Sequence, residues 1–180
     1  MKIRTLILLV GILGIQLVAF GQDDLLGKGT RMIRGLASFS SIGTENTSER
    51  TFTSLLDFSY DRFYKDHMYL GYNMSGQYEN YSSNNSCILA VGPEIGYVFW
   101  TKKSQVFPFI EGGCSMAADI IGNGSIHGGY DLEAGLGVII PIKKNFGMVI
   151  EGNYNSLKFI EVDSKVNGIS LSFGFVGLLF

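Results

Sequence analysis

The chain has 180 residues, of which 46% are hydrophobic, with 24 glycines against 3 prolines; this composition excludes intrinsic disorder and favours a single β-rich domain whose backbones approach closely. Its 14 basic and 16 acidic residues give a formal charge of −2, and loss of Lys2 and Arg4 with an export segment leaves 12 against 16, a charge of −4. Nucleic acid is thereby excluded as a partner, because affinity for it comes from clustered Lys and Arg neutralising phosphates.

The first predicted element is the export segment. Lys2 and Arg4 precede an apolar run from Leu6 to Ala19, interrupted only by glycine and Gln16, and Ala19-Phe20-Gly21 sets small residues at the two positions a signal peptidase reads. Residues 1–21 are therefore expected to be a signal peptide and 22–180 a single barrel domain. The apolar run is shorter than the ~20 residues that span a hydrocarbon core as a helix. No cysteine follows it to carry a lipid anchor, and no later stretch reads as a long apolar helix. Any membrane crossing must be made by strands.

From about residue 29 to Phe180 the hydrophobicity alternates with a period of two, and eight strands are predicted at roughly 29–41, 51–62, 68–80, 87–100, 105–120, 126–140, 146–158 and 166–180. Residues 63–67, 101–104 and 141–145 are lysine-bearing turns, whereas Thr44 to Arg50, Tyr81 to Ser86, Ile121 to Ser125 and Ile160 to Lys165 are loops of mainly Ser, Thr, Asn, Gly and acids. An even number of antiparallel strands, with short turns at one end and polar loops at the other, predicts an eight-stranded up-and-down transmembrane β-barrel in a bacterial outer membrane. Each strand reaches the ~9–11 residues needed to cross at a tilt of ~45°. Soluble sandwich strands average about 5–6.

One face of each strand is apolar. Met68, Leu70, Tyr72, Met74, Gly76 and Tyr78 alternate with mostly polar neighbours, and the face continues in Leu56, Phe58 and Tyr60, in Leu89, Val91, Ile95, Tyr97 and Phe99, in Leu132, Ala134, Leu136, Val138 and Ile140, and in Phe146, Met148, Ile150 and Tyr154. These are expected to face lipid. Aromatics at the strand ends are expected to form interfacial girdles, with Tyr60, Phe63, Tyr64, Phe99, Trp100, Phe107 and Phe146 on the turn side and Tyr78, Tyr81, Tyr130 and Phe159 toward the loops. In the last strand, counting back from Phe180 turns Leu178 and Val176 outward, while Ile169, Leu171, Phe173 and Phe175 hold the other parity. A bulge near Gly174 to Gly177 is expected to reconcile the two.

Lys28-Gly29-Thr30 opening a strand, Gly92-Pro93 before Tyr97, Pro108-Phe109 with Glu111-Gly112-Gly113, and the terminal Phe180 resemble the small outer-membrane β-barrel domain proteins of Gram-negative bacteria, especially the kind common in Bacteroidota. The resemblance covers essentially the whole mature chain and implies architecture rather than activity. It implies that Phe180 is part of the signal read by the barrel-assembly machinery, and that the peptidoglycan-binding domain of some relatives is absent.

With the lipid face fixed, Glu94, Glu111, Glu133 and Glu151 point inward from four consecutive strands and are expected to form an acidic cluster whose inward cation is Arg34, with Arg31 or Arg62 possible contributors. An eight-stranded interior has little more than side-chain room, so the cluster is expected to fill it as an ion-pair and hydrogen-bond network; a proton or cation site is the alternative. A lipid-modifying activity would draw on Ser125, His127 and Glu133 along strand six, but all three share the inward parity and the His would have to reach both partners from a lipid-accessible face. His67, beside Asp66 in a turn, has no second metal ligand at useful spacing. In the expected register Cys87 and Cys114 are about four positions, or ~13 Å, apart. A disulfide needs Cα atoms within about 7 Å, so both thiols are expected to be free and lipid-facing.

The sequence thus predicts a monomeric outer-membrane barrel with a filled interior, no cofactor and no covalent chemistry. Its expected role is structural or in surface interaction, with an extracellular partner meeting Thr44 to Arg50 and Tyr81 to Ser86. A narrow pore for small solutes, a lipid-modifying enzyme and a soluble lipocalin-like barrel that binds a lipophile are the alternatives.

Overall fold

Alternating apolar and polar side chains with few β-breakers commit the chain to long strands, and in a bilayer such strands must close on themselves so that no edge faces lipid. The computed structural model describes residues 26–43, 50–80, 85–99, 105–121, 124–160 and 164–180. Eight strands, β1 (Arg31–Gly43), β2 (Arg50–Lys65), β3 (Met68–Asn80), β4 (Asn85–Val98), β5 (Phe107–Ile121), β6 (Ile126–Lys143), β7 (Phe146–Phe159) and β8 (Ser164–Leu179), form a closed barrel in sequence order. All neighbours are antiparallel, including β1 with β8. The expected signal peptide, residues 1–21, lies outside the described residues, as do Tyr81, Trp100 and most of the expected contact loops.

The strands run further into the turns than expected. Asp66-His67 alone joins β2 to β3, with His67 at φ 71°, and Lys144-Asn145 alone joins β6 to β7; a two-residue hairpin of this kind calls for a left-handed residue. The His67 ring stacks on Tyr97 at 5.7 Å, and its Nδ1 lies 3.1 Å from the Val98 carbonyl oxygen.

The expected lipid face is the outer surface. Leu56, Phe58, Leu70, Tyr72, Met74, Val91, Leu132 and Leu136 are all exposed. A soluble lipocalin-like barrel would bury these residues, and an apolar band of this extent is stable only against lipid. Tyr60, Tyr64, Phe99 and Phe146 fringe its turn end and Tyr78 and Tyr130 its loop end. Phe63, Phe107 and Phe159 depart from the expected girdles, since all three are buried inside. Phe63 and Phe107 pack into the apolar core at the turn end, whereas Phe159 turns inward at the loop end, where it lines a cavity.

The last strand corrects the expected bulge. The β7–β8 register is unbroken from Phe146↔Gly177 to Phe159↔Ser164. Val176 and Leu178 are buried inward, while Ile169, Leu171, Phe173 and Phe175 are exposed outward. One parity therefore holds throughout. The sequence is ambiguous there because the barrel floor is as apolar as the lipid.

That floor packs Met32, Phe63, Phe107, Ile139, Val149 and Leu178 with Leu26, from the segment before β1. The segment is tied beneath the barrel by Gly29 N–H donating to Phe63 O (2.8 Å), Phe63 N–H to Thr30 O (2.9 Å) and Lys28 N–H to Asp66 Oδ1 (3.2 Å). The β1–β8 ladder is short, with seven pairs from Arg31↔Leu179 to Ala37↔Phe173.

Candidate functional site: an interior ion network beneath an open cavity

Arg34 projects inward from β1 and is 2% exposed. Its Nη2 lies 2.6 Å from Glu94 Oε1, its Nη1 2.7 Å from Glu111 Oε2 and 3.1 Å from Glu151 Oε2, and its Nε 3.5 Å from Asp61 Oδ2. Nε also donates to Ser59 Oγ at 2.9 Å. The guanidinium suits this position because its planar fork carries five donors and its faces accept aromatic rings. Tyr69 and Phe109 have ring centroids 5.6 and 5.4 Å from its carbon, and the Tyr69 hydroxyl donates to Glu111 Oε2 at 2.5 Å.

Glycine opposite each ring makes room for this arrangement. Tyr69 pairs with Gly96 across β3–β4, and Phe109 with Gly137 across β5–β6. A Cβ on either glycine would run into the facing ring. The rings therefore lie over the neighbouring backbone and flank the cation.

The structure brings Arg34, Glu94, Glu111 and Glu151 together, and Glu133 is not among the ion-pair partners described for Arg34. Glu133 lies opposite Gly113 and Asn155, toward the loops. Arg31 and Arg62 are exposed and do not reach in. Asp61, fully buried and in ion-pair range of Arg34, was missing from the expected cluster. Its signal was present in the sequence, since Asp57, Ser59 and Asp61 interleave with the outward Leu56, Phe58 and Tyr60. Above the network, amides clasp carboxylates: Asn73 Nδ2 donates to Asp57 Oδ2 (2.8 Å), Asn153 Nδ2 to Glu151 Oε1 (2.6 Å) and Asn155 Nδ2 to Asp131 Oδ2 (3.1 Å).

The interior is not filled along its whole length. Toward the loops it opens into a cavity of about 780 Å³, lined by residues that include Ser75, Gln77, Ser86, Ala90, Asp131 and Ser170. The expectation of a filled barrel fails there, where the lining mixes short side chains such as Ser75, Ser86, Ala90 and Ser170 with longer ones.

Of the candidate catalytic residues, Ser125 and His127 lie at the loop end of the sheet and Glu133 lies further along β6. Glu133 is six residues from His127 on one strand, or ~20 Å, whereas His127 pairs across the sheet with Asp119. Asp119 accepts a hydrogen bond from Ser86 Oγ. Cys87 and Cys114 are both free. Cys87 faces Ile120, six residues along β5 from Cys114, so they are further apart than the expected four positions.

A closed, eight-stranded antiparallel barrel with an apolar outer band and a buried polar network inside is an outer-membrane β-barrel. Solved structures share the fold. The Neisserial surface protein NspA matches with a TM-score of 0.61 at 16% identity, covering 83% of this chain and 99% of that one. Outer membrane protein OprG of Pseudomonas aeruginosa matches at 0.57 and 13% identity, covering 87% and 99%. The N-terminal barrel domain of OprF from the same organism matches at 0.55 and 12%, covering 85% and 99%. No protein family matches the sequence, and no curated protein matches it either.

Proposed function

We propose that the protein is a non-conducting outer-membrane barrel, closed at its turn end, that serves the cell envelope through interactions at its loop end and carries out no covalent chemistry. The observation that carries this reading is the two-layer seal below the cavity: the apolar floor with Leu26 beneath it, and above that floor Arg34 held by four carboxyl groups from β2, β4, β5 and β7. A solute path would have to pass both layers, and moving one member of a buried ion cluster aside leaves its partners uncompensated. This weighs against the narrow-pore alternative. The separation of His127 from Glu133 weighs against the lipid-modifying one.

In this reading the partners are outer-membrane lipid, the barrel-assembly machinery that reads Phe180, and an extracellular molecule meeting the polar loops. The barrel works as a monomer, of the kind common in Bacteroidota that its motifs resemble. Planar-bilayer recording of the full chain is the test. No discrete openings are expected under either polarity, and unitary current steps from the wild-type protein would replace this reading with the pore.

A further inference from the structure

The β1–β8 ladder stops at Ala37↔Phe173, although both strands continue, β1 to Gly43 and β8 down to Ser164. Continued in the same register, Ser38 would face Ser172 and Phe39 would face Leu171, but those pairs do not form. A crossing of ~9–11 residues counted from Arg31 ends between Phe39 and Ser41. The two strands therefore part within the loop-side half of the bilayer, where an exposed sheet edge is tolerated only beside a cavity.

The cavity lies behind that gap. Phe39, Ile169 and Leu171, which are 69%, 87% and 57% exposed on the lipid-facing surface, also line it. Its apolar lip is thus continuous with the outer apolar band. Its titratable lining is Glu79, Asp119 and His127 near the loop-end mouth and Asp131 further in, and no lysine or arginine is among the described lining residues. Asp131 is 9% exposed, and its Oδ1, like the Ser170 Oγ, is buried with no hydrogen-bond partner. A buried acceptor in that condition is strongly biased toward a donor.

We propose that the loop-side cavity binds a single-chain amphiphile drawn laterally from the outer leaflet between β1 and β8, with its chain against Phe39, Ile169 and Leu171 and a hydrogen-bond-donating, non-anionic head group on Asp131. The volume lies within the ~300–1,000 Å³ usual for small-molecule sites. An acidic lining rejects carboxylate and phosphate heads by leaving charges of like sign facing one another. The inference rests on the closed floor proposed above. Its test reads binding rather than current, so each can fail without the other.

The experiment is an NMR titration of the full chain in phosphatidylcholine nanodiscs, with dodecylamine and dodecanoate as probes of equal length and opposite head charge. Dodecylamine is expected to shift resonances around Asp131 and to bind roughly tenfold or more tighter than dodecanoate, a preference that Asp131→Asn removes. A Phe39→Cys/Leu171→Cys pair, in a background with Cys87→Ser and Cys114→Ser, is expected to block binding when oxidised and restore it on reduction. Equal binding of both probes, or an unchanged preference in Asp131→Asn, would overturn the head-group assignment. Undiminished binding to the oxidised pair would overturn the lateral route.

Discussion

The Tyr69 ring lies over Gly96, its direct partner across β3–β4, and from there its hydroxyl reaches Glu111 while its face meets Arg34. A methyl group at residue 96 would displace the ring and loosen the network from one side. Gly96→Ala is therefore expected to destabilise the barrel by about 1–3 kcal/mol, the usual range for overpacking. Gly128→Ala, where an added Cβ meets nothing within 4 Å, is expected to stay within about 0.5 kcal/mol of wild type. Urea unfolding of both variants in lipid vesicles makes the comparison, and equal losses would mean that the ring does not depend on the glycine.

Arg34→Met keeps the length of the side chain and removes the charge on which four carboxyl groups converge. A loss of about 3–5 kcal/mol is expected, because the partners are left buried without a cation. Adding Glu94→Gln to Arg34→Met is expected to recover part of it. Urea midpoints and heat-modifiable gel mobility report both effects, and simple additivity of the two substitutions would contradict a shared network.

The facing of β8 is open to a charge test. Phe173→Arg places a cation on the outer surface near mid-strand and is expected to cost about 2–4 kcal/mol in a bilayer. Ser172→Ala, one residue away and pointing inward, is expected to be far milder. Refolding yield into vesicles separates them. The opposite ranking would turn Phe173 inward, against the unbroken β7–β8 register.

Cys87 and Cys114 are expected to remain thiols in the folded protein, with identical gel mobility before and after reduction. A membrane-permeant maleimide is expected to modify Cys114, which faces outward, well ahead of a charged, impermeant thiol reagent. Preferential attack by the charged reagent would place that face in water.

Much of the barrel is legible because lipid imposes a one-sided rule. Leu70, Tyr72 and Met74 must be apolar, whereas Tyr69, Gly71 and Asn73 need not be, and that contrast sets the parity of β3 without reference to any contact. The rule weakens where both faces are apolar. Val176, Leu178, Phe63 and Phe107 lie over the floor, and nothing in their chemistry separates a buried floor from a lipid surface. Arg34 and its glutamates are legible for the converse reason, since charge on an inward parity has few places to go. Glu133 shows the limit of that argument: parity gives a face but not a height along the axis. The gap beside β1 is less visible still, because a ladder that stops leaves no mark on the residues that could have continued it.

Arg34 and Glu151 are separated by 117 positions in the chain, and they meet only because β7 and β8 have come round to β1. The cation's other carboxyl partners, on β2, β4 and β5, lie nearer to it in the chain. The last contact therefore registers completion of the circle, and a barrel missing its final strands holds an arginine with part of its charge uncompensated. Such long-range closure makes assembly slow. It also makes assembly selective, since an unfinished sheet lacks the stabilisation that would let it persist in the membrane as a product.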